Sequence, residues 1–168
     1  CVDFLTNKWT LLFYDYGDYY DYIEAVHLPS TIKSIGKQAF MDCDNLKQIN
    51  LENVSTLGED CFRLTSLTHI ELSPELKVIP NGAFEYTPLR YVKINHGTET
   101  IESDAFGSCN QLELIYIPNS VINISVPNSS RLIIYTPTDS PAETYAKNHN
   151  IAFINATSVP DYYEVLRK

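Results

Sequence analysis

A 22-residue period is the feature of this sequence that most constrains its fold. Four phenylalanines stand 22 residues apart: Phe40, Phe62, Phe84 and Phe106. The same interval separates four aliphatic residues: Ile35, Leu57, Ile79 and Ile101. Two independent positions that hold one period over four copies indicate a repeat architecture. We therefore expect stacked structural units that share one elongated core.

The second half of each unit has the strand pattern of leucine-rich repeats, in which a leucine precedes two aliphatic residues at fixed spacing. The pattern occurs at residues 46–51, 67–72, 89–94 and 112–117. Because side chains alternate along a strand, Ile49 and Leu51 should point inward while Gln48 and Asn50 point outward. A single strand of this kind cannot cover its own apolar side, so stacking of the units should bury the aliphatic columns and place the phenylalanines in a ring ladder on the opposite wall.

The units resemble the BspA-like (Treponema-type) leucine-rich repeats, which read roughly L-P-x-x-I-x-x-I-G-x-x-A-F-x-x-C-x-x-L-x-x-I-x-L. Residues 28–51 match this pattern almost letter for letter, and the resemblance extends over about residues 23–153. Departures include Cys61 in place of alanine and Pro80 and Glu102 in place of glycine. The resemblance implies a strand-dominated leucine-rich-repeat solenoid with a parallel concave sheet.

Both ends of the solenoid should be closed. Residues 1–22 are predicted to form an N-terminal strand cap, residues 23–135 the repeats, residues 136–155 a C-terminal cap and residues 156–168 a tail. In the C-terminal cap, Ser140, Pro141 and Glu143 have the spacing of a capping box with proline in the first helical turn, and Asn150 can end the helix. The cap is therefore predicted as a helix at 140–149 followed by a strand at 151–154.

The net charge, the apolar runs and the first residue bear on which kinds of partner and anchor the chain could have. The formal net charge of -9 disfavours nucleic acid and anionic membranes. No apolar run approaches the roughly 20 residues that a membrane-spanning helix needs. The chain begins at Cys1 without a signal peptide, and Cys1 is interpreted either as the lipid-anchored first residue of a bacterial lipoprotein or as a cut point.

No enzyme motif occurs in the sequence. There is no nucleophile elbow, phosphate-binding loop or H-E-x-x-H motif, and the histidines lie in different units. His27 and His69 are predicted to share one outward column, two units apart, so they should not hold one metal ion. The other three cysteines, Cys43, Cys61 and Cys109, are predicted to be small buried thiols. We therefore predict no enzymatic activity, no cofactor and no metal site.

The outward strand residues are the candidate binding surface. Towards the C-terminus they become more aromatic, and an exposed aromatic cluster flanked by polar groups is typical of a protein-binding patch. The predicted partner-binding residues are His69, Glu71, Tyr91, Lys93, Leu114, Tyr116, Ile133 and Tyr135. The alternative is that these aromatic rings only pack on one another or under the terminal cap.

Three functions are compatible with this sequence. The family resemblance implies a non-enzymatic, extracellular or cell-surface adhesion module that binds host or neighbouring-cell proteins through its concave face. The first alternative is a structural spacer that presents another domain. The second is carbohydrate binding through the tyrosines of residues 14–22, because tyrosine is enriched in recognition surfaces.

Overall fold

The computed structural model of the protein describes residues 23–156, which contain short strands and one helix. The N-terminal cap, the tyrosine-rich segment, Cys1 and the tail beyond residue 156 lie outside the described residues. The elements in chain order are β1 (Ala25–Val26), β2 (Ser34–Ile35), β3 (Gln48–Ile49), β4 (Thr56–Leu57), β5 (His69–Glu71), β6 (Val78–Ile79), β7 (Tyr91–Lys93), β8 (Thr100–Ile101), β9 (Leu114–Tyr116), β10 (Ile133–Thr136), α1 (Pro141–His149) and β11 (Ala152–Asn155).

One wall of the solenoid is the main parallel sheet. Strands β5, β7, β9, β10 and β11 pair side by side in that order. On the N-terminal side, β1 pairs with β3, and a single bridge between Leu51 and Leu72 connects this pair to the larger sheet. Equivalent residues of successive units lie opposite one another, with Val92 between Ile70 and Ile115. The register confirms the predicted leucine-rich-repeat solenoid.

A second wall carries two shorter parallel pairs, β2 with β4 and β6 with β8. Across the first pair, the Gly58 N–H donates to the Ile35 carbonyl at 2.9 Å, and across the second the Glu102 N–H donates to the Ile79 carbonyl at 3.0 Å. The equivalent residue between the pairs is Pro80, which has no N–H to donate. The proline that departs from the glycine of the repeat pattern therefore removes one of the bonds that would join β4 to β6.

The phenylalanine ladder is present. Successive ring centroids lie 5.4, 5.3 and 5.5 Å apart along Phe40, Phe62, Phe84 and Phe106, and all three ring pairs are stacked. None of the four side chains is more than 1% exposed. The ladder and the aliphatic columns of the two walls form one continuous core.

Each phenylalanine lies between two residues in the left-handed backbone conformation. In the four units, the residues two positions before the phenylalanine are Gln38, Asp60, Gly82 and Asp104. The residues two positions after it are Asp42, Leu64, Tyr86 and Ser108. All eight have a positive φ. This geometry lets the phenylalanine N–H groups bond to the next unit, as Phe62 does to the Ala83 carbonyl at 2.8 Å. The repeated conformation belongs to the fold, because it recurs at the same two positions in all four units.

The predicted buried thiols are also confirmed. Cys61 occupies the small-residue position that Ala39, Ala83 and Ala105 fill in other units, and it is fully buried. Cys43 and Cys109 are buried as well, and all three thiols are free. Burial raises the pKa of Cys43 to about 11, so this thiol is a poor nucleophile at neutral pH.

Helix α1 and strand β11 close the C-terminal end. The Ser140 side chain accepts a hydrogen bond from the Glu143 N–H at 2.9 Å, and Asn150 ends the helix in the left-handed conformation. The Glu143 carboxylate accepts from the Asp139 N–H at 2.8 Å, one residue before the position that a standard capping box uses. Strand β11 begins one residue later than predicted. No helix among residues 23–156 is long and apolar enough to cross a membrane.

Candidate interaction surface

The concave face is the outward side of the main sheet, and two rows of side chains cover it. The first row contains Ala25, Gln48, His69, Tyr91, Leu114, Ile133 and Ala152. The second row contains His27, Asn50, Glu71, Lys93, Tyr116, Tyr135 and Ile154. His27 and His69 therefore lie in different rows, which corrects the prediction that they share one.

The aromatic part of the concave face is not the exposed cluster that the sequence suggested. Tyr91 is 7% exposed, and Leu114 and Tyr116 are each 4% exposed. Side chains in adjacent strands are separated by only about 4.8 Å and therefore cover each other's flanks. The exposure predicted for these three side chains is wrong, whereas Ile133 and Tyr135 are half-buried.

The buried Tyr116 side chain has two neighbours that affect it. The His96 ring lies edge-on to the Tyr116 ring, with the centroids 6.5 Å apart. Burial raises the pKa of Tyr116, and the positive charge of Lys93 in the same row partly opposes that rise. The phenol is therefore neutral at physiological pH.

A charged pair occupies the middle of the concave face. The Lys93 ammonium lies 2.6 Å from the Glu71 carboxylate across the β5–β7 register. Asn95 donates to the same carboxylate oxygen at 3.3 Å. Two of the predicted binding residues thus stabilise each other between units, and a ligand that used either charge would have to compete with this pair.

The N-terminal half of the concave face carries a groove of about 710 Å³. It extends over β1, β3 and β5, and its lining includes the side chains of His27, Gln48, His69 and Glu71. Of the predicted binding residues, only His69 and Glu71 line this groove. The structure therefore adds Gln48 and His27 to the candidate site, two polar residues that an argument from aromatic content does not select.

Two amides in the groove bond to the backbone of the preceding unit. Asn50 accepts from the Leu28 N–H at 2.6 Å through Oδ1 and donates to the Leu28 carbonyl at 3.1 Å through Nδ2. Asn95 donates to the Leu72 carbonyl at 2.7 Å. These side chains replace backbone ladder bonds where the strands end, so their first role is structural.

His69 lines the groove and is half-buried. Burial lowers its pKa, and its Nδ1 lies 3.3 Å from the Thr68 hydroxyl. A lowered pKa keeps the imidazole neutral at physiological pH, in a state that can both donate and accept a hydrogen bond. Gln48 and His27 are exposed beside it, and the exposed Glu52 and Glu71 also line the groove, so the groove combines hydrogen-bonding groups with two carboxylates.

Within residues 23–156, no group of three or more His, Cys, Asp or Glu side chains could hold a metal ion. Cys61 and Cys109 are buried, and burial raises the pKa of both thiols. The groove itself contains no thiol.

Comparison with known proteins supports the repeat architecture. The model of the BspA type leucine rich repeat region matches residues 14–128 in six copies. No curated protein is similar to the chain at a significant level.

Two solved structures are similar to the chain. One is a leucine rich cell surface protein from Faecalibacterium prausnitzii A2-165, with 24% identity, a TM-score of 0.58 and coverage of 84% of this chain and 34% of that one. The chain thus spans about a third of that protein's length. The other is a leucine-rich repeat protein from Bacteroides ovatus, with 19% identity, a TM-score of 0.33 and coverage of 79% of this chain and 51% of that one.

Proposed function

Because the chain belongs to the BspA-type leucine-rich repeat family, we propose that it is a non-enzymatic module that binds proteins at a cell surface or outside the cell. Proteins of this repeat class commonly act through their surfaces and carry no catalytic centre. The neighbour from Faecalibacterium is described as a cell surface protein, which favours the same location for this chain. Adhesion to host or neighbouring-cell proteins is the role that we propose for it.

The groove over β1, β3 and β5 is the observation that supports this proposal most directly. Exposed polar side chains line it, among them His27 and Gln48. Three of its other polar side chains, those of Asn50, Asn95 and Glu71, are held in place by contacts between units. A rigid surface loses little conformational entropy on binding, so this groove is the favoured contact surface for a protein partner.

The predicted aromatic patch has a secondary part in this proposal. Ile133 and Tyr135 are half-buried and lie in β10, next to strand β9, which contains the buried Leu114 and Tyr116. They can extend a contact that begins in the groove, with the Lys93–Glu71 pair between the two regions. Replacing the buried rings would damage the fold, so they are unsuitable for testing the function.

The test compares two exposed positions of neighbouring units on different walls. Gln48→Arg places a long charged side chain in the groove, whereas Thr56→Arg makes the same change in β4 on the second wall. Binding to a panel of purified extracellular proteins is measured by biolayer interferometry, and thermal melting confirms that both variants fold. For any protein that the parent chain binds, Gln48→Arg should weaken binding at least about tenfold, or roughly 1.4 kcal/mol, and Thr56→Arg should leave it unchanged.

Equal binding by both variants would contradict the groove as the contact surface. If the parent chain bound none of the panel, the structural spacer would become the better interpretation. One observation favours that alternative, namely that Asn50, Asn95, Glu71 and Lys93 are already engaged in contacts between units.

A further inference from the structure

The turn that leads into Phe84 contains the chain's single Asn-Gly pair, Asn81-Gly82. Asn81 is exposed, and Gly82 has a φ of 65°. In an Asn-Gly pair, the glycine backbone nitrogen can approach the asparagine side-chain carbonyl carbon without obstruction from a following side chain. This approach is the first step of cyclic imide formation, which is the usual route of asparagine deamidation.

The hydrogen bonding around this pair leaves the reacting nitrogen available. The Asn81 N–H donates to the Glu102 carboxylate at 2.9 Å, and the Ala83 N–H donates to the Pro80 carbonyl at 3.2 Å. Between them, the Gly82 N–H makes no hydrogen bond within the described part of the chain. The nitrogen that would attack is therefore the one backbone N–H of these three residues without a bonded acceptor.

A proton acceptor lies next to the same peptide. The Asp60 carboxylate of the preceding unit occupies the space that a side chain on Gly82 would need. Asp60 is held there by its own N–H, which donates to the Asn81 carbonyl at 3.2 Å. Stacking of the units thus brings a carboxylate of one unit beside the Asn-Gly peptide of the next.

We propose that Asn81 is a site of spontaneous deamidation in the folded protein. The Gly82 nitrogen forms a bond to Cγ of Asn81, the bond between Cγ and Nδ2 breaks, and Nδ2 leaves as ammonia with the proton that the Gly82 nitrogen gives up. Asp60 accepts that proton in transit. Water then opens the ring at either carbonyl and leaves aspartate or isoaspartate at position 81.

The reaction would alter one link between neighbouring units. Asn81 Nδ2 donates to the Ser103 carbonyl at 2.7 Å and to the Ser103 hydroxyl at 3.1 Å. A carboxylate at this position cannot donate to the carbonyl, and it adds negative charge beside Glu102. Isoaspartate also lengthens the backbone by one methylene and displaces the carbonyl that pairs with the Asp60 N–H. This inference concerns the solenoid itself and does not depend on the proposed function.

The test incubates the folded protein at mildly alkaline pH and follows proteolytic peptides by mass spectrometry, with isoaspartate detected by enzymatic methyl labelling. Asn128, which is also exposed and precedes serine, is the internal comparison. Aspartate and isoaspartate should accumulate at position 81 before position 128, with release of ammonia. Asn81→Gln should abolish the signal at that position, and Asp60→Asn should slow its appearance in protein that still melts cooperatively.

Two results would overturn the proposal. One is intact Asn81 in aged folded protein while Asn128 reacts. The other is a reaction at Asn81 only after unfolding in urea, which would mean that the bonds to Ser103 hold the carboxamide away from the Gly82 nitrogen. An unchanged rate in Asp60→Asn would exclude the part assigned to that carboxylate.

Discussion

Phe62 has a stacked ring on each side, with centroids 5.4 Å from Phe40 and 5.3 Å from Phe84. It is fully buried, so truncation would leave a cavity in the middle of the ladder. We expect Phe62→Ala to lower the free energy of unfolding by about 3 to 5 kcal/mol. Urea denaturation followed by circular dichroism measures this change.

Tyr86 provides the matched control, because its ring is 48% exposed in the neighbouring unit. The Arg63 guanidinium lies 5.2 Å from its ring centroid, a contact worth about 0.5 to 1 kcal/mol at an exposed site. Tyr86→Ala should therefore cost much less than Phe62→Ala. Similar losses in the two variants would show that the ladder does not stabilise the core.

Ser108 has a φ of 55°, in the left-handed region that disfavours residues with a side chain. Its side chain is exposed, so little packing would be lost on substitution. We expect Ser108→Gly to raise the free energy of unfolding by up to about 1 kcal/mol, since glycine adopts this conformation without strain. The same denaturation measurement tests it.

Ser130 is the comparison for that change, since it is exposed and has no positive φ. Ser130→Gly should be neutral or slightly destabilising, because glycine increases the conformational freedom of the unfolded chain. A stabilising effect at Ser130 that matched the effect at Ser108 would mean that backbone strain is not the cause.

At the scale of the element, the C-terminal cap depends on Glu143. Its carboxylate lies 2.5 Å from the Lys147 ammonium and accepts from the Asp139 N–H at 2.8 Å and the Asn155 amide at 2.9 Å. The hydrogen bond from Lys147, followed by the two others, lowers the pKa of Glu143 below its ordinary value. One side chain thus connects the helix, the turn before it and strand β11.

A lowered folded-state pKa has a defined consequence for stability. The contribution of the Glu143 charge is present at neutral pH, where the carboxylate is ionised in both states, and it is lost as the pH falls through the lowered folded-state value. Glu143→Gln should therefore lower the urea midpoint at pH about 7, with a smaller difference from the parent protein at pH about 3.

Glu59→Gln is the control for this pH dependence, since Glu59 forms an exposed pair with Lys37. Exposed pairs contribute about 0 to 1 kcal/mol, so this variant should differ little from the parent protein at either pH. A Glu143→Gln variant that behaved in the same way would show that the cap does not depend on this carboxylate.

The elements that the sequence predicted well are those in which one local pattern decides the structure. The 22-residue period predicted the phenylalanine ladder and the strand register. The order Ser140, Pro141, Glu143 predicted the start of the helix. The interruption between β4 and β6 was not predicted, although Pro80 was recognised as a departure. Its effect depends on which N–H of one unit faces which carbonyl of the next, and the stacked register had to be known first.

At the scale of the whole molecule, the candidate surface was only partly predictable. The period identified which side chains point outward, but exposure also depends on how far neighbours in a row cover each other. Tyr91 and Tyr116 are outward residues that are nevertheless buried, and Gln48 is an outward residue that remains exposed. Whether any of them contacts a partner remains a prediction for the binding test.

The described sheet has a weaker connection near its N-terminal end. The β1–β3 pair is connected to the larger sheet by one bridge between Leu51 and Leu72, whereas β5, β7 and β9 pair over three residues each. Repeat proteins can open one unit at a time, because each unit contacts only its neighbours. The first described unit should therefore open more often than the central ones.

The three buried thiols can report this order of opening, since they lie in different units. Cys43 belongs to the first described unit, Cys61 to the second and Cys109 to the fourth. With a maleimide reagent and peptide mass spectrometry, we expect Cys43 to be labelled first in low concentrations of urea, and Cys61 and Cys109 only near the unfolding midpoint. Glu143→Gln should accelerate labelling of Cys109 more than of Cys43, because it weakens the cap at that end. Simultaneous labelling of all three thiols would instead show that the solenoid unfolds as one cooperative unit.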